Sequence, residues 1–323
     1  MPRVFVIDKV HPSGLALLRQ RPGLTVETLE APTPATLLEG ARAADGIVIR
    51  TSPLPGEAIA AATHLKIVSR HGVGYDNVDL AALNARRIPL TVVGSVNAVS
   101  VAEHALYLLL ATMKCGAAYD RAVRTGPWNF RNSLDAREID GKTLLILGFG
   151  RIGREVARRA AAFGMRILIH DPFLAPSAIT APAEPAADLD AALAEADAVS
   201  LHLPLTPESR HIIDAARLAA MKPSAVLIST ARGGLIDEAA LVEALRGKRL
   251  AAAGLDVFAE EPPPADHPLL GLDNVVLSPH SASLTQESAM RMSMVAAQNC
   301  LDGLDGKLDP SLVVNRDVLG ARP

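Results

Sequence analysis

The stretch that most limits what this chain can fold into runs from Lys142 to Asp171: K-T-L-L-I-L-G-F-G-R-I-G-R-E-V-A-R-R-A-A-A-F-G-M-R-I-L-I-H-D. Thr143 to Leu147 is a short apolar run, the pattern of a strand buried on both faces. Gly148-Phe149-Gly150-Arg151-Ile152-Gly153 then fits G-x-G-x-x-G. Gly148 allows a tight turn, Gly150 lets backbone approach a pyrophosphate, and Gly153 lets a helix pack close to the strand. A helix is predicted to follow, with Ile152, Val156, Ala160 and Phe163 on one face and Gly164 at its C-terminal cap. Its N-terminus offers unpaired N–H groups and a partial positive charge to a phosphate. Met165 to His170 reads as the next strand, and Asp171 ends it.

A glycine loop alone is a weak signal, but strand, helix, strand and acid all follow in order here. The unit reads as a dinucleotide site, with Arg151 facing the pyrophosphate. A carboxylate at Asp171 accepts from ribose hydroxyls and repels a 2′-phosphate. No Lys or Arg lies between Asp171 and Ser209 to offset that repulsion. The cofactor expected is therefore NAD.

Length and composition leave room for this and more. The 323 residues accommodate two domains. A formal net charge of -3 creates no field favouring nucleic acid or an anionic membrane, and 3% aromatic residues argue against base-stacking platforms. Cys115 and Cys300 stand far apart and fit no metal spacing. Arg3-Val4-Phe5-Val6-Ile7 begins a strand where a signal peptide would stand, and Ala105 to Met113 is too short to span a bilayer. The expected location is cytoplasmic.

Before the glycine loop, five strand patterns (Val4–Asp8, Val26–Leu29, Gly46–Ile49, Lys66–Ser69, Leu90–Val93) alternate with helical ones near 13–20, 35–43, 56–62 and 79–86. Alternation of this kind implies a parallel sheet covered on both faces. No glycine fingerprint follows the first strand, so this unit is expected to hold substrate rather than cofactor. Two of its strand-end loops suit a ligand: Arg50-Thr51-Ser52-Pro53, and Arg70-His71-Gly72-Val73-Gly74-Tyr75-Asp76, whose glycines can offer backbone N–H groups to a carboxylate. Asn97 to Ala118 reads as one long apolar helix, with Ser100 and Glu103 at capping-box spacing. Trp128 is expected to pack. The Ala/Pro-rich segment 174–187 reads as a surface loop. Four more strands, Ala198–Leu201, Ala225–Ser229, Ala252–Leu255 and Val275–Leu277, bring the second sheet to six. A last helix is expected from Ser283 to Leu304, with Ser283 and Gln286 at capping-box spacing. No appended regulatory domain is expected.

Three of these strands run into polar loops: Thr230-Ala231-Arg232-Gly233-Gly234, Asp256-Val257-Phe258-Ala259-Glu260-Glu261-Pro262 and Ser278-Pro279-His280-Ser281-Ala282. In a parallel sheet all three open on the cofactor edge. An Arg, a Glu and a His meeting beside a nicotinamide suit hydride transfer coupled to proton transfer.

These motifs resemble the D-isomer-specific 2-hydroxyacid dehydrogenases, a family that includes 3-phosphoglycerate dehydrogenase and the hydroxypyruvate and glyoxylate reductases. The resemblance spans nearly the whole chain: H-G-V-G-Y-D-N-V-D, N-A-V-S-V-A-E-H, G-F-G-R-I-G, S-T-A-R-G-G-L-I-D, G-L-D-V-F-A-E-E-P and S-P-H-S-A-S. It implies two doubly wound parallel-sheet α/β domains, a Rossmann NAD-binding domain (98–287) inserted into a flavodoxin-like substrate domain (1–97 with 288–323). It implies His280 as acid/base, Glu261 as its carboxylate partner and Arg232 as the grip on a substrate carboxylate. Asp256 matches an acid near the nicotinamide amide, and Thr230 and Leu203 would touch cofactor through backbone. Arg50, Gly72, Val73 and Gly74 match carboxylate-binding positions. Ala282 and Ser283 depart from the commoner H-x-G-G pattern, which bears on pocket shape. The activity implied is NAD-dependent interconversion of a D-2-hydroxy acid and its 2-keto acid, in a homodimer, without metal. An NAD(H)-sensing corepressor-like protein and an NADP-preferring glyoxylate/hydroxypyruvate reductase are the competing readings.

Overall fold

The computed structural model describes residues 1–320. Strand and helix alternate from the start: β1 (Arg3–Ile7), α1 (Pro12–Arg19), β2 (Thr25–Leu29), α2 (Pro34–Arg42), β3 (Gly46–Ile49), α3 (Gly56–Ala61), β4 (Ile67–Arg70), α4 (Leu80–Ala85) and β5 (Leu90–Thr91). Helices α5 (Ala98–Met113) and α6 (Gly116–Thr125) follow. Then come β6 (Thr143–Leu147), α7 (Arg151–Ala162), β7 (Arg166–His170), β8 (Ala183–Pro185), α8 (Leu189–Glu195), β9 (Ala198–Leu201), α9 (Ala215–Ala220), β10 (Val226–Ser229), α10 (Glu238–Arg246), β11 (Ala252–Leu255), β12 (Val275–Leu277) and α11 (Gln286–Asp305).

The chain divides into two compact units, one of Met1–Asn97 with the segment from Leu284 on, the other of Ala98–Ser283. In the first, five parallel strands run in the order β2-β1-β3-β4-β5, the flavodoxin-like order. Phe5, Ile7, Ile47, Ile49 and Leu90 bury one face beneath α2, α3 and α4. Val4, Val6, Val48 and Ile67 bury the other against Leu18 of α1 and Met292, Ala296 and Cys300 of α11. A Cβ on Gly14 would stand 2.6 Å from Ser293 O, so a glycine there lets the α1 backbone rest against the α11 backbone. Helix starts follow capping chemistry: the Thr33 and Thr36 side chains exchange bonds with each other's backbone at α2, and Asp79 caps α4.

The second unit is a seven-stranded parallel sheet, ordered β12-β11-β10-β9-β6-β7-β8. Reversal of direction at β6 is the topological switch of a doubly wound dinucleotide fold. The alternate side chains of β6 show why its run is unbroken: Leu144 and Ile146 pack beneath α5 and α7, Leu145 and Leu147 on the opposite face.

Several expectations need correction. The segment 174–187 is not wholly loop: Ala183–Pro185 pairs with β7 as a seventh, edge strand. Arg166 reaches across and grips the Glu184 carboxylate through Nε at 3.1 Å and Nη2 at 2.7 Å. The apolar stretch 97–118 is two helices bent by 61°, broken at Cys115, which sits at φ +52°. Ser100 lies inside α5, which begins at Ala98, and its hydroxyl donates to Ala282 O at 2.8 Å. Likewise Thr285, not Ser283, caps α11, accepting from Ser288 N–H at 3.2 Å. Trp128, expected to pack, is 64% exposed, and Phe163 of the α7 face is 48% exposed. Among the described residues no single helix is long and apolar enough to cross a membrane.

Candidate active site

Parallel register carries the functional residues to one edge. Ser229 pairs with Leu255 and Leu255 with Leu277, so Thr230, Asp256 and Ser278 emerge side by side. Leu201 pairs with Leu147, and Leu147 with His170, which sets Leu203, the glycine loop and Asp171 along the same edge.

Each glycine of the loop meets a different constraint. Gly148 has φ +92°, and a Cβ there would lie 2.7 Å from His202 O. A Cβ on Gly153 would lie 2.1 Å from Gly148 O, so the first turn of α7 rests directly on the strand end. Gly150 is exposed and a Cβ there would meet nothing within 4 Å. The open side of the loop is thus at Gly150, next to the free N–H groups of α7 and the exposed Arg151; Ile152 is partly buried against the sheet. Asp171 accepts from Phe149 N–H at 2.8 Å and Phe173 N–H at 3.0 Å, which fixes its carboxylate against the loop. Leu203 packs beside Gly148. The Thr230 hydroxyl is buried with no partner among the described residues. An open glycine, bare helix N–H groups, a fixed carboxylate and an unpartnered buried hydroxyl at one sheet edge fit a dinucleotide.

Arg232, Glu261 and His280 come together in the same unit. His280 Nδ1 lies 2.6 Å from Glu261 Oε2. The other oxygen, Oε1, accepts from Phe258 N–H at 3.1 Å. Burial pushes the Glu261 carboxyl up, but the His280 bond, the His280 charge, the Phe258 N–H and the Arg232 charge outweigh it and hold it below the usual carboxylate range. An ionised carboxylate only accepts, so Nδ1 donates a proton to Glu261 and Nε2 is the ring nitrogen left outside that bond. Gly233 presses the Arg232 loop onto the Glu261 loop: a Cβ there would stand 2.0 Å from Phe258 C. Glu260, the neighbouring acid, has no such partner role in the His280 pair, which Glu261 alone makes.

Asp256 is fully buried, and its carboxylate faces inward. Oδ1 accepts from the Ser278 hydroxyl at 2.6 Å and Ser281 N–H at 2.9 Å, and Oδ2 from Ala282 N–H at 2.9 Å. His104 Nε2, on α5, lies 2.7 Å from Ser278 Oγ. Sequence reasoning missed both Ser278 and His104. The available signal was Ser100 and His104, four apart on one face of an apolar helix.

The carboxylate-binding candidates lie in the other unit, at the ends of β3 and β4. Arg50 donates to Lys9 O at 3.2 Å. Gly72 accepts from Val93 N–H at 3.1 Å, and a Cβ on it would lie 2.5 Å from Arg70 Nη1. Val73 and Gly74 are partly buried and Tyr75 is exposed. His71 beside them is buried, its Nε2 2.8 Å from Ser293 Oγ. Burial, with the Arg50 and Arg70 charges adding to it, lowers its pKa from 6.5 to about 4. The unfolded chain takes up a proton in that window that the folded chain refuses, so stability falls as pH drops below 6.5. Between pH 7 and pH 5 this group should remove about 2 kcal/mol. The buried His202, lowered likewise to about 4, adds a loss of its own, so denaturant titrations at the two pH values should show a loss about 2 kcal/mol smaller in His71→Gln than in the wild type.

Residues 106–282 match the sequence model of the D-isomer specific 2-hydroxyacid dehydrogenase NAD binding domain. The chain is 41% identical over 314 residues to a D-3-phosphoglycerate dehydrogenase of Mycobacterium tuberculosis, covering 97% of this chain but 59% of that protein. It therefore spans about three-fifths of the length of that relative. It is 39% identical over 327 residues to a glyoxylate reductase of Korarchaeum cryptofilum, covering 100% of this chain and 98% of that one. Among solved structures, an NADPH-dependent glyoxylate/hydroxypyruvate reductase of Sinorhizobium meliloti, in complex with NADP and malonate, superposes with a TM-score of 0.87 at 31% identity, covering 100% and 99%. The chain belongs to the D-isomer specific 2-hydroxyacid dehydrogenase family.

Proposed function

We propose that the protein is an NAD-dependent dehydrogenase interconverting a D-2-hydroxy acid and its 2-keto acid, on a substrate of the 3-phosphoglycerate, glycerate/hydroxypyruvate or glyoxylate kind. The observation that carries this reading is the 2.6 Å contact of His280 Nδ1 with Glu261, beside Arg232 and on the sheet edge that holds the glycine loop. A bound nicotinamide supplies the hydride acceptor or donor. His280 takes the hydroxyl proton on Nε2 during oxidation and returns it to the carbonyl oxygen during reduction. Glu261 fixes the tautomer and balances the imidazolium that forms. Arg232 grips the substrate carboxylate and draws electron density from the adjacent carbonyl. In the other unit, Arg50 and the Gly72, Val73 and Gly74 backbone are carboxylate-binding positions in their own right. Asp256 and Thr230 shape the nicotinamide end, and Gly148, Gly150, Arg151, Ile152, Gly153 and Leu203 line the dinucleotide.

The deciding experiment is a panel: glyoxylate and hydroxypyruvate with NADH, 3-phosphoglycerate and both glycerate enantiomers with NAD. Turnover of a D substrate is expected. Tight NADH binding with no turnover anywhere in the panel would instead favour a sensor. The NADPH dependence of the Sinorhizobium protein makes coenzyme choice a second question. Here the fixed Asp171 carboxylate should repel a 2′-phosphate. We expect kcat/KM to favour NADH by at least about 10-fold, one such repulsion being on the order of 1.4 kcal/mol. Asp171→Ala should narrow that ratio, and a wild-type preference for NADPH would refute the use made of Asp171. A homodimer is proposed from Tyr107, Val123, Trp128 and Leu134, each more than half exposed on one unit. Light scattering at micromolar concentration should give twice the chain mass.

A further inference from the structure

His280 occupies a backbone conformation that a residue with a Cβ seldom adopts, φ +49°. Something must hold it there, and the holding groups form a ladder. His280 N–H donates to Asp256 O at 2.8 Å, while Ser281 and Ala282 donate to the two oxygens of the Asp256 carboxylate. The Ser278 hydroxyl, two residues before His280, closes the set on Oδ1 at 2.6 Å. That hydroxyl has one proton and gives it to Asp256, so its lone pair accepts from His104, whose Nε2 must carry a proton. One turn earlier on α5, Ser100 fastens Ala282 O at the loop's far end. The loop 278–282 is thus tied at both ends to one face of α5 and in its middle to a buried acid.

We infer that His104 is a positioning residue for His280, acting through Ser278 and Asp256. Its Nε2–H orients the Ser278 hydroxyl toward Asp256. The carboxylate, with that oxygen satisfied, keeps its grip on the two N–H groups that follow His280. Remove the donor, and Ser278 can turn away, leaving a buried oxygen short of a partner and the strained residue free to relax. The imidazole then meets substrate at the wrong angle, although it and Glu261 are both still present. The inference rests on the reading of His280 as acid/base, and a misplacement on the order of 1 Å costs a reacting group up to about 100-fold.

The test uses the NADH-loaded protein and whichever keto acid of the panel the wild type reduces fastest, followed as a single-turnover rate. His104→Leu should slow it about 10- to 100-fold with KM for the keto acid nearly constant. His104→Gln, which keeps an N–H donor, should recover most of the loss. Ser278→Ala should reproduce the His104→Leu defect, and adding His104→Leu to it should cost nothing further, because the two act in series. In the cofactor-free protein, the His280 ring signals in NMR spectra should shift in His104→Leu and return in His104→Gln. A His104→Leu rate within twofold of wild type, a glutamine variant as slow as the leucine one, losses that multiply in the double variant, or unmoved His280 signals would each overturn the assignment. Should His104→Leu not fold, Ser278→Ala alone carries the rate and NMR tests. Near-normal turnover in His280→Ala is a different failure: it removes the acid/base reading itself.

Discussion

His280→Ala should lose about 10²–10⁴-fold in turnover, the share a positioned acid/base contributes, while its affinity for NADH stays within a few-fold of wild type. The separation follows from where the ring stands. Its Nδ1 is taken by Glu261 at 2.6 Å, whereas the glycine loop, α7 and Asp171 make their contacts without it. Deleting the imidazole removes the group that can receive a proton at Nε2 and leaves the dinucleotide side of the sheet edge as it was. Fluorescence titration with NADH and steady-state rates, on the same preparation, give both numbers. Glu261→Gln should fall between wild type and His280→Ala, because an amide can still accept from Nδ1 yet carries no charge to balance an imidazolium. A His280→Ala enzyme that turns over near the wild-type rate would leave Arg232 and Glu261 without a reaction to serve.

Much of this was legible in the chain because it is written locally. Strand runs such as Thr143–Leu147 are apolar throughout, and a parallel sheet fixes which ends of its strands lie together. Arg232, Glu261 and His280 could therefore be grouped from three loops that begin one or two residues past β10, β11 and β12. The losses have the opposite character. The edge strand β8 is three residues long, ends in Pro185 and buries only Ala183, so it lacks both the length and the alternation that announce a strand. What stabilises it is Arg166 on its neighbour, a partner 18 residues away. The bend between α5 and α6 falls at Cys115, whose positive φ no residue preference signals; Gly116 beside it was the faint cue. Asp256 could be named from its place after β11, but its inward orientation depends on Ser278, Ser281 and Ala282, residues 22 to 26 positions on. Pattern reading finds which side chains reach an edge; which way each one turns there is decided by partners from other elements.

The second large effect divides two glycines that a motif treats alike. Gly150→Val should fold with a melting temperature close to wild type and bind NADH at least about 100-fold more weakly, whereas Gly153→Ala should be destabilised before any question of binding arises. At Gly150 the φ of −72° is open to any L residue and the added Cβ meets no protein atom within 4 Å, so the fold has no reason to object. The space the side chain fills is the one through which backbone and pyrophosphate would approach. Crowding there, roughly 1–3 kcal/mol for overpacking, adds to the separation of a phosphate from the α7 N–H groups. At Gly153 the Cβ would enter the Gly148 carbonyl at 2.1 Å, backbone against backbone, with neither side able to rotate away. Either α7 lifts from β6 or the first turn of the loop deforms, and both expose Leu144, Ile146 and Val156 packing. Thermal melts and NADH titrations of the two variants should therefore differ in kind. If Gly150→Val binds NADH as the wild type does, the open side of the loop is not where the dinucleotide sits, and the nicotinamide end near Thr230 and His280 loses its anchor as well.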